Sequence, residues 1–156
     1  VILNNFLGEA DVNPPDFPRA PGERLVTMCC PTTLEGPESL YVMGAGGSSR
    51  IRSAVTHGVV FLTDHGLSAQ EAVQASRLHL DGGTLRVEVM DRPPGFREAL
   101  ALDWPTLIPF ERHGMYFGGL HVAGHQEGVF TGGGDPRRTG SWASTGRTIG
   151  VEEPLW

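Results

Sequence analysis

An α+β fold, mainly antiparallel sheet with packed helices, is what this sequence predicts, and three observations carry the prediction. Short β-prone runs are bounded by Gly, Pro and Glu turns, and two segments between them show apolar residues at helical spacing. The strand-like and helix-like segments also come in groups instead of alternating strictly, which favours antiparallel layers over a doubly wound parallel sheet. At 156 residues the chain fits one domain, so residues 1–156 are read as a single unit.

In chain order, Val1 to Asn5 reads as the end of a strand. Residues 8–24 hold Gly8, Pro14, Pro15, Pro18, Pro21 and Gly22, too many breakers for regular structure, and a long surface loop is expected. Leu25 to Leu34 is apolar and β-prone apart from Pro31, Glu35-Gly36-Pro37-Glu38 makes a turn, and Ser39 to Met43 forms the second strand of an antiparallel pair. The stretch Gly44-Ala45-Gly46-Gly47-Ser48-Ser49-Arg50 then reads as a glycine turn between strand and helix. From Ile51 the apolar positions Ala54, Val55, Val59 and Leu62 recur at helical spacing until Asp64-His65-Gly66, with Gly66 as the cap. Ser68-Ala69-Gln70-Glu71 is a capping box that opens a second helix ending near Ser76. Thr84 to Val89 alternates as a short strand, Met90 to Gly95 turns, and Phe96 to Leu102 has helical composition before Pro105 and Pro109 break the pattern. Met115 to Val122 and Gly128 to Thr131 are strand candidates separated by residues 123–127, and an irregular tail begins at Gly132.

Composition excludes several chemistries. The net charge is -6 and all twelve basic residues are Arg, dispersed along the chain, which disfavours nucleic-acid binding. Without Lys there is no Schiff-base nucleophile and no G-x-x-x-x-G-K-[ST] phosphate loop. No apolar run approaches the roughly 20 residues that a membrane-spanning helix needs. Cys29 and Cys30 are adjacent, where a disulfide between them would be strained, so both are expected as free thiols. His121 and His125 stand four apart, but the residues between them are not helical in character and no H-E-x-x-H pattern is formed, so no metal site is expected. Asp135-Pro136-Arg137-Arg138 could hold a carboxylate through paired guanidiniums, although a turn with structural ion pairs is the commoner use of such a run.

The glycine turn is the strongest candidate site. A strand, a glycine turn and a helix start leave backbone N–H groups free to hold a phosphate, a carboxylate or a developing oxyanion. A dinucleotide fingerprint fits poorly, since the third glycine is missing at its offset, and no G-x-S-x-G elbow is present.

Five segments together resemble the small subunit of γ-glutamyltransferases: Leu3-Asn4-Asn5-Phe6-Leu7-Gly8-Glu9, Arg24 to Thr32, Gly44 to Ile51, Glu71-Ala72-Val73 with Ser76-Arg77-Leu78-His79, and Asp135-Pro136-Arg137-Arg138. The resemblance implies an N-terminal-nucleophile hydrolase of αββα sandwich architecture, made as a precursor that cuts itself into a large and a small subunit. It implies a threonine at the new small-subunit N-terminus, whose hydroxyl attacks a γ-glutamyl amide of a glutathione-like substrate with its own α-amine as base, and no metal or organic cofactor. The matching positions for the two oxyanion-binding backbone N–H groups are Gly47 and Ser48. Glu9 matches the residue that holds the substrate α-amino group, with Asn5 nearby, and Thr27 and Met28 match the pair that binds its α-carboxylate. Met28 cannot donate a hydrogen bond from its side chain, so an amidase or acylase of the same fold with a different acyl group is the alternative, and a non-catalytic anion-binding or partner-binding remnant is a third. Val1 falls downstream of the family's nucleophile. The expected partners are therefore a large subunit and an N-terminal part of the small subunit, and the chain alone is expected to be inactive and to associate through uncovered sheet faces. The compartment is left open between cytoplasmic and periplasmic or secreted.

Overall fold

The computed structural model describes residues 8–16, 19–90 and 92–145. The expected strand end at residues 1–5, Asn5 included, lies outside the described residues. The elements in order are β1 (Thr32–Gly36), β2 (Ser39–Gly46), α1 (Arg50–Thr63), α2 (Ala69–Gln74), β3 (Leu78–Asp81), β4 (Thr84–Glu88), α3 (Phe96–Asp103), β5 (Leu107–Phe110), β6 (Gly119–Gln126) and β7 (Val129–Gly133). Short 3₁₀ turns cover Met115–Phe117 and Pro136–Arg138. Among the described residues no helix is long and apolar enough to cross a membrane.

Four strands in the order β1-β2-β6-β7 make an all-antiparallel sheet, and β3-β4-β5 make a smaller one. Period-two alternation decides which face of the large sheet is covered. Tyr41 and Met43 of β2 and Leu120 and Val122 of β6 are buried, while Val42 between them is 51% exposed. Ile51, Ala54 and Val55 of α1 and Ala69 and Val73 of α2 complete this core. The i, i+3, i+4 spacing of the α1 residues supplies the stripe that packs on the sheet. Gly58, one turn further on, lets the helix come close, because a Cβ there would lie 2.6 Å from Leu120 Cδ2.

Several sequence expectations are corrected. Residues 25–31 are not a strand; pairing starts at Thr32, opposite Met43, after Pro31 has removed a ladder donor. Gly44, Ala45 and Gly46 belong to β2, paired with His121, Leu120 and Gly119, so the turn shrinks to Gly47-Ser48-Ser49. Residues 123–126 continue β6, and the hairpin turns at Glu127 and Gly128, both with positive φ (51° and 75°), as a two-residue β-turn requires. Gly124 reads as a breaker in sequence, yet it is the residue that fits there, since a Cβ would strike the Leu40 carbonyl. Leu78–Asp81 and Leu107–Phe110 are strands that no sequence signal marked. The second runs parallel to β4 and returns through α3, so the small sheet holds one parallel pair. Pro109 is tolerated because β5 is the last strand of its sheet.

The Ser68 capping box is present in full. Ser68 Oγ accepts from the Glu71 amide and Glu71 Oε2 accepts from the Ser68 amide at 2.9 Å. Ser68→Ala is expected to lower stability by about 1 kcal/mol, the usual worth of an N-cap. Thermal unfolding of the complete protein checks it, and Ser68→Asp, which keeps a capping oxygen, should lose less.

Candidate active site

The turn between β2 and α1 is built from residues whose backbone cannot be generalised. Gly47 has φ 134°, and a Cβ on it would stand 2.8 Å from Gly118 Cα. Gly118, at φ 71°, would in turn drive a Cβ into the Gly46 carbonyl. Two backbones are therefore pressed together at glycines, which fixes the turn from behind. Arg50 adds a second brace: its Nε donates to the Tyr116 carbonyl at 3.2 Å and its Nη1 to Ser49 Oγ at 3.0 Å. Ser48 is left-handed at φ 53°, a conformation that costs a non-glycine residue about 1 kcal/mol or more. The Arg50 and Ile51 amides close the first turn onto the Gly47 and Ser48 carbonyls. Among the described residues outside the ladders, no backbone carbonyl accepts from the Gly47, Ser48 or Ser49 amides. The result is a rigid set of N–H donors at the start of a 14-residue helix, where partial positive charge accumulates.

The long loop reaches this turn. Ser48 Oγ donates to Asp11 Oδ2 at 2.8 Å, and Asn13 Nδ2 donates to the Val26 carbonyl at 2.9 Å. These two bonds bring the Glu9 loop, the segment carrying Thr27 and Met28, and the Gly47-Ser48 turn together. Glu9 starts a compact turn whose carbonyl accepts from Val12 and Asn13, and its Oε2 is buried without a hydrogen-bond partner among the described residues. Thr27 is exposed, and its Oγ1 accepts from the Cys29 amide at 3.1 Å. Met28 is half-buried and packs against the hydrophobic core. Cys29 and Cys30 are free and exposed.

Asp135-Pro136-Arg137-Arg138 serves a different purpose from the ligand site it could have been. Asp135 and Arg137 are buried together with Arg77 and Glu88, four charges that sum to zero. Arg77 Nη1 lies 2.7 Å from Asp135 Oδ2, Arg137 Nη1 3.2 Å from Asp135 Oδ1, and Arg137 Nε donates to Glu88 Oε1 at 2.8 Å. Backbone groups take up most of the rest: Asp135 Oδ2 accepts from Leu120 N–H, Glu88 Oε2 from Arg77 N–H, and the guanidiniums donate to the Val73 and Ala75 carbonyls, while Arg77 Nε is left without a hydrogen-bond partner among the described residues. The cluster ties the end of α2 to β4 and to the start of β6, directly after Gly118. Burial would raise both carboxyls, but the guanidiniums and amides outweigh it and hold Glu88 and Asp135 below their ordinary values. Sequence reading named Asp135 and Arg137 but missed Arg77 and Glu88 as their partners, because the pairs are 58 and 49 positions apart.

Burial, helped by the same cluster, sets the titration of His57 on α1. Burial first, and then the fields of Arg77 and Arg137, push it down to about 4. An unfolded histidine takes its proton near 6.5, so below that pH the unfolded chain binds a proton that the folded one refuses. Stability from this group is complete above pH 6.5 and is lost as pH falls toward 4, by up to about 3 kcal/mol. In the complete protein, His57→Phe should flatten the fall in melting temperature between pH 6.5 and 4.5.

The Gamma-glutamyltranspeptidase family model matches residues 2–145. The chain belongs to that family. The γ-glutamyltranspeptidase match extends to individual proteins: the Acylase ACY 1 proenzyme of Pseudomonas sp. (strain SE83) is 30% identical over 99% of this chain and 26% of its own length. A Glutathione hydrolase proenzyme from another Pseudomonas strain is 29% identical over 86% of this chain and 22% of its own. The chain thus spans about a quarter of the length of these curated relatives. Among solved structures, the Bacillus anthracis transpeptidase enzyme CapD superposes with a TM-score of 0.67 at 26% identity, covering 80% of this chain and 75% of that one. A mutant of the Helicobacter pylori γ-glutamyltranspeptidase gives 0.61 at 24% identity over 76% and 66%, a likeness of fold.

Proposed function

We propose that this chain is the oxyanion-binding and acyl-donor-binding part of an N-terminal-nucleophile acyltransferase or hydrolase acting on γ-glutamyl amides of the glutathione kind. The observation that carries the reading is the rigid Gly47-Ser48 turn with its free amides, joined by Asp11 to the loop of Glu9. The attacking group in this proposal is a threonine hydroxyl contributed by residues outside the chain, with its α-amine as base. It adds to the amide carbonyl, the oxyanion is held by the Gly47 and Ser48 N–H groups, and the amine departs to leave an ester that water or an acceptor amine then opens. Glu9 takes the α-amino group of the donor, its buried unpartnered Oε2 being suited to an ammonium. Asn5 is proposed as a further contact to the donor, and Thr27 offers a hydroxyl to the α-carboxylate.

A second reading has its own support. Met28 occupies one of the two carboxylate-binding positions and is packed against the core, which suits an acyl donor without an α-amino acid head. An acylase is also among the relatives that align with nearly the whole chain. Residues 1–156 are proposed as one domain fragment of an αββα sandwich. The outer face of its large sheet, with Leu40, Val42, Ala123 and Phe130 beside a groove of about 520 Å³ that Trp142 and Thr145 also line, is proposed to face the second sheet, made by the large subunit and the N-terminal part of the small one.

The complete gene product, assayed with a γ-glutamyl anilide and with a glutaryl anilide lacking the α-amine, decides between the two. A preference of at least tenfold in kcat/KM for the γ-glutamyl compound supports the first reading, and indifference supports the acylase. No release from either, or release by the purified 156-residue chain alone, overturns the proposal.

A further inference from the structure

Asp11 has a role that neither the family match nor the acyl-transfer reading assigns. Ser48 is one of three non-glycine residues with positive φ among the described residues, and it stands at the centre of the proposed oxyanion turn. A serine can leave this conformation at little cost unless something holds it, and each departure would swing the 48 amide away from the oxyanion. The hold is visible: Ser48 Oγ donates to Asp11 Oδ2 at 2.8 Å across 37 positions of sequence. The Asp11 loop is itself fixed, with the Glu9 carbonyl accepting from Val12 and Asn13 and the Asn13 side chain bonded to Val26.

We propose that Asp11 is a positioning residue that locks the Ser48 backbone in its left-handed conformation, keeping the 48 amide aimed at the oxyanion. The proposal rests on the acyl-transfer reading for its catalytic half. A glycine at 48 would need no such lock, since it adopts φ near +53° freely, whereas serine carries its own handle for one. The tether also joins the donor-binding loop to the oxyanion turn. Seating a substrate against Glu9 would then order the oxyanion site through Asp11, two residues along the same loop.

Asp11→Ala, Asp11→Asn and Ser48→Gly, and the Asp11→Ala variant in the Ser48→Gly background, test this in the complete gene product. Losing one oxyanion donor typically costs ~10²–10³-fold in rate. Freeing the donor without removing it should cost Asp11→Ala about tenfold in kcat, with KM changed by less than about twofold. Asp11→Asn keeps an acceptor oxygen and should recover most of that loss. The decisive comparison is the cycle: whatever activity Ser48→Gly retains, adding Asp11→Ala should lower it by less than about twofold. An undiminished Asp11→Ala effect in that background, or an Asn variant as poor as Ala, overturns the proposal. Hydrogen exchange in peptides covering residues 46–51 gives a readout independent of turnover, and Asp11→Ala should accelerate it. Unchanged exchange overturns the tether even where turnover falls. A wild-type protein without turnover but with faster exchange in Asp11→Ala would refute the acyl-transfer reading alone and leave the conformational lock standing.

Discussion

Arg137→Ala should cost the complete protein about 3–5 kcal/mol, because it strands the fully buried Glu88 carboxylate without a guanidinium and leaves Asp135 with Arg77 as its one remaining guanidinium partner. The figure follows from what remains, not from the bond removed. Arg137 donates to both carboxylates and to the Val73 and Ala75 carbonyls, so its loss takes one donor from each of these groups. Glu88→Ala should cost a similar amount by exposing the opposite imbalance, with Arg137 and the Gly114 and Arg77 amides losing their common acceptor. Urea denaturation reads the loss, and a change below about 1 kcal/mol for either variant would show that the cluster does not act as a buried, mutually dependent network. The double variant Arg137→Met with Glu88→Leu should recover part of the loss, since removing both members of a pair leaves fewer orphaned charges than removing one. The sign with pH follows from the carboxyls. Both are depressed in the folded protein, so their contribution is complete above about pH 4.5 and disappears as the pH falls through the lowered values.

Gly47→Ala should reduce turnover by ~10²–10³-fold, the amount expected when an oxyanion donor is displaced. The added methyl meets Gly118 Cα at 2.8 Å, and φ 134° is a region that alanine avoids, so both space and torsion push the turn out of shape. Because the methyl acts on the turn and not on Glu9 or Thr27, the loss should fall on kcat with KM little altered. Gly118→Ala should reproduce the effect from the other side, as its Cβ would strike the Gly46 carbonyl. Steady-state kinetics of the complete gene product test both, and an active Gly47→Ala variant with wild-type kcat would remove the turn from the mechanism. Circular dichroism separates this from unfolding: the fold should persist, since the turn lies at the edge of the core and not within it.

The sequence by itself determined the elements whose causes are local. The α1 stripe of Ile51, Ala54 and Val55, the Ser68 capping box and the Pro37-Glu38 turn are encoded within a few residues of where they act. The ordered series of short motifs likewise sufficed to identify the family. What only the tertiary structure decided depends on residues far apart in the chain. Gly124 stays in β6 because a neighbouring strand leaves room for nothing larger, and β5 forms despite Pro109 because it lies at an edge. Arg77 and Glu88 become meaningful only when folding carries Asp135 and Arg137 to them. The candidate site divides in the same way. Gly47 and Ser48 stand out in sequence because glycine-rich turns have a local signature, whereas the Asp11 bond to Ser48 has none, since no pattern of spacing records which loop will fold back onto which turn. Backbone conformation is written by neighbours in sequence, and the pairing of buried and polar side chains is written by neighbours in space.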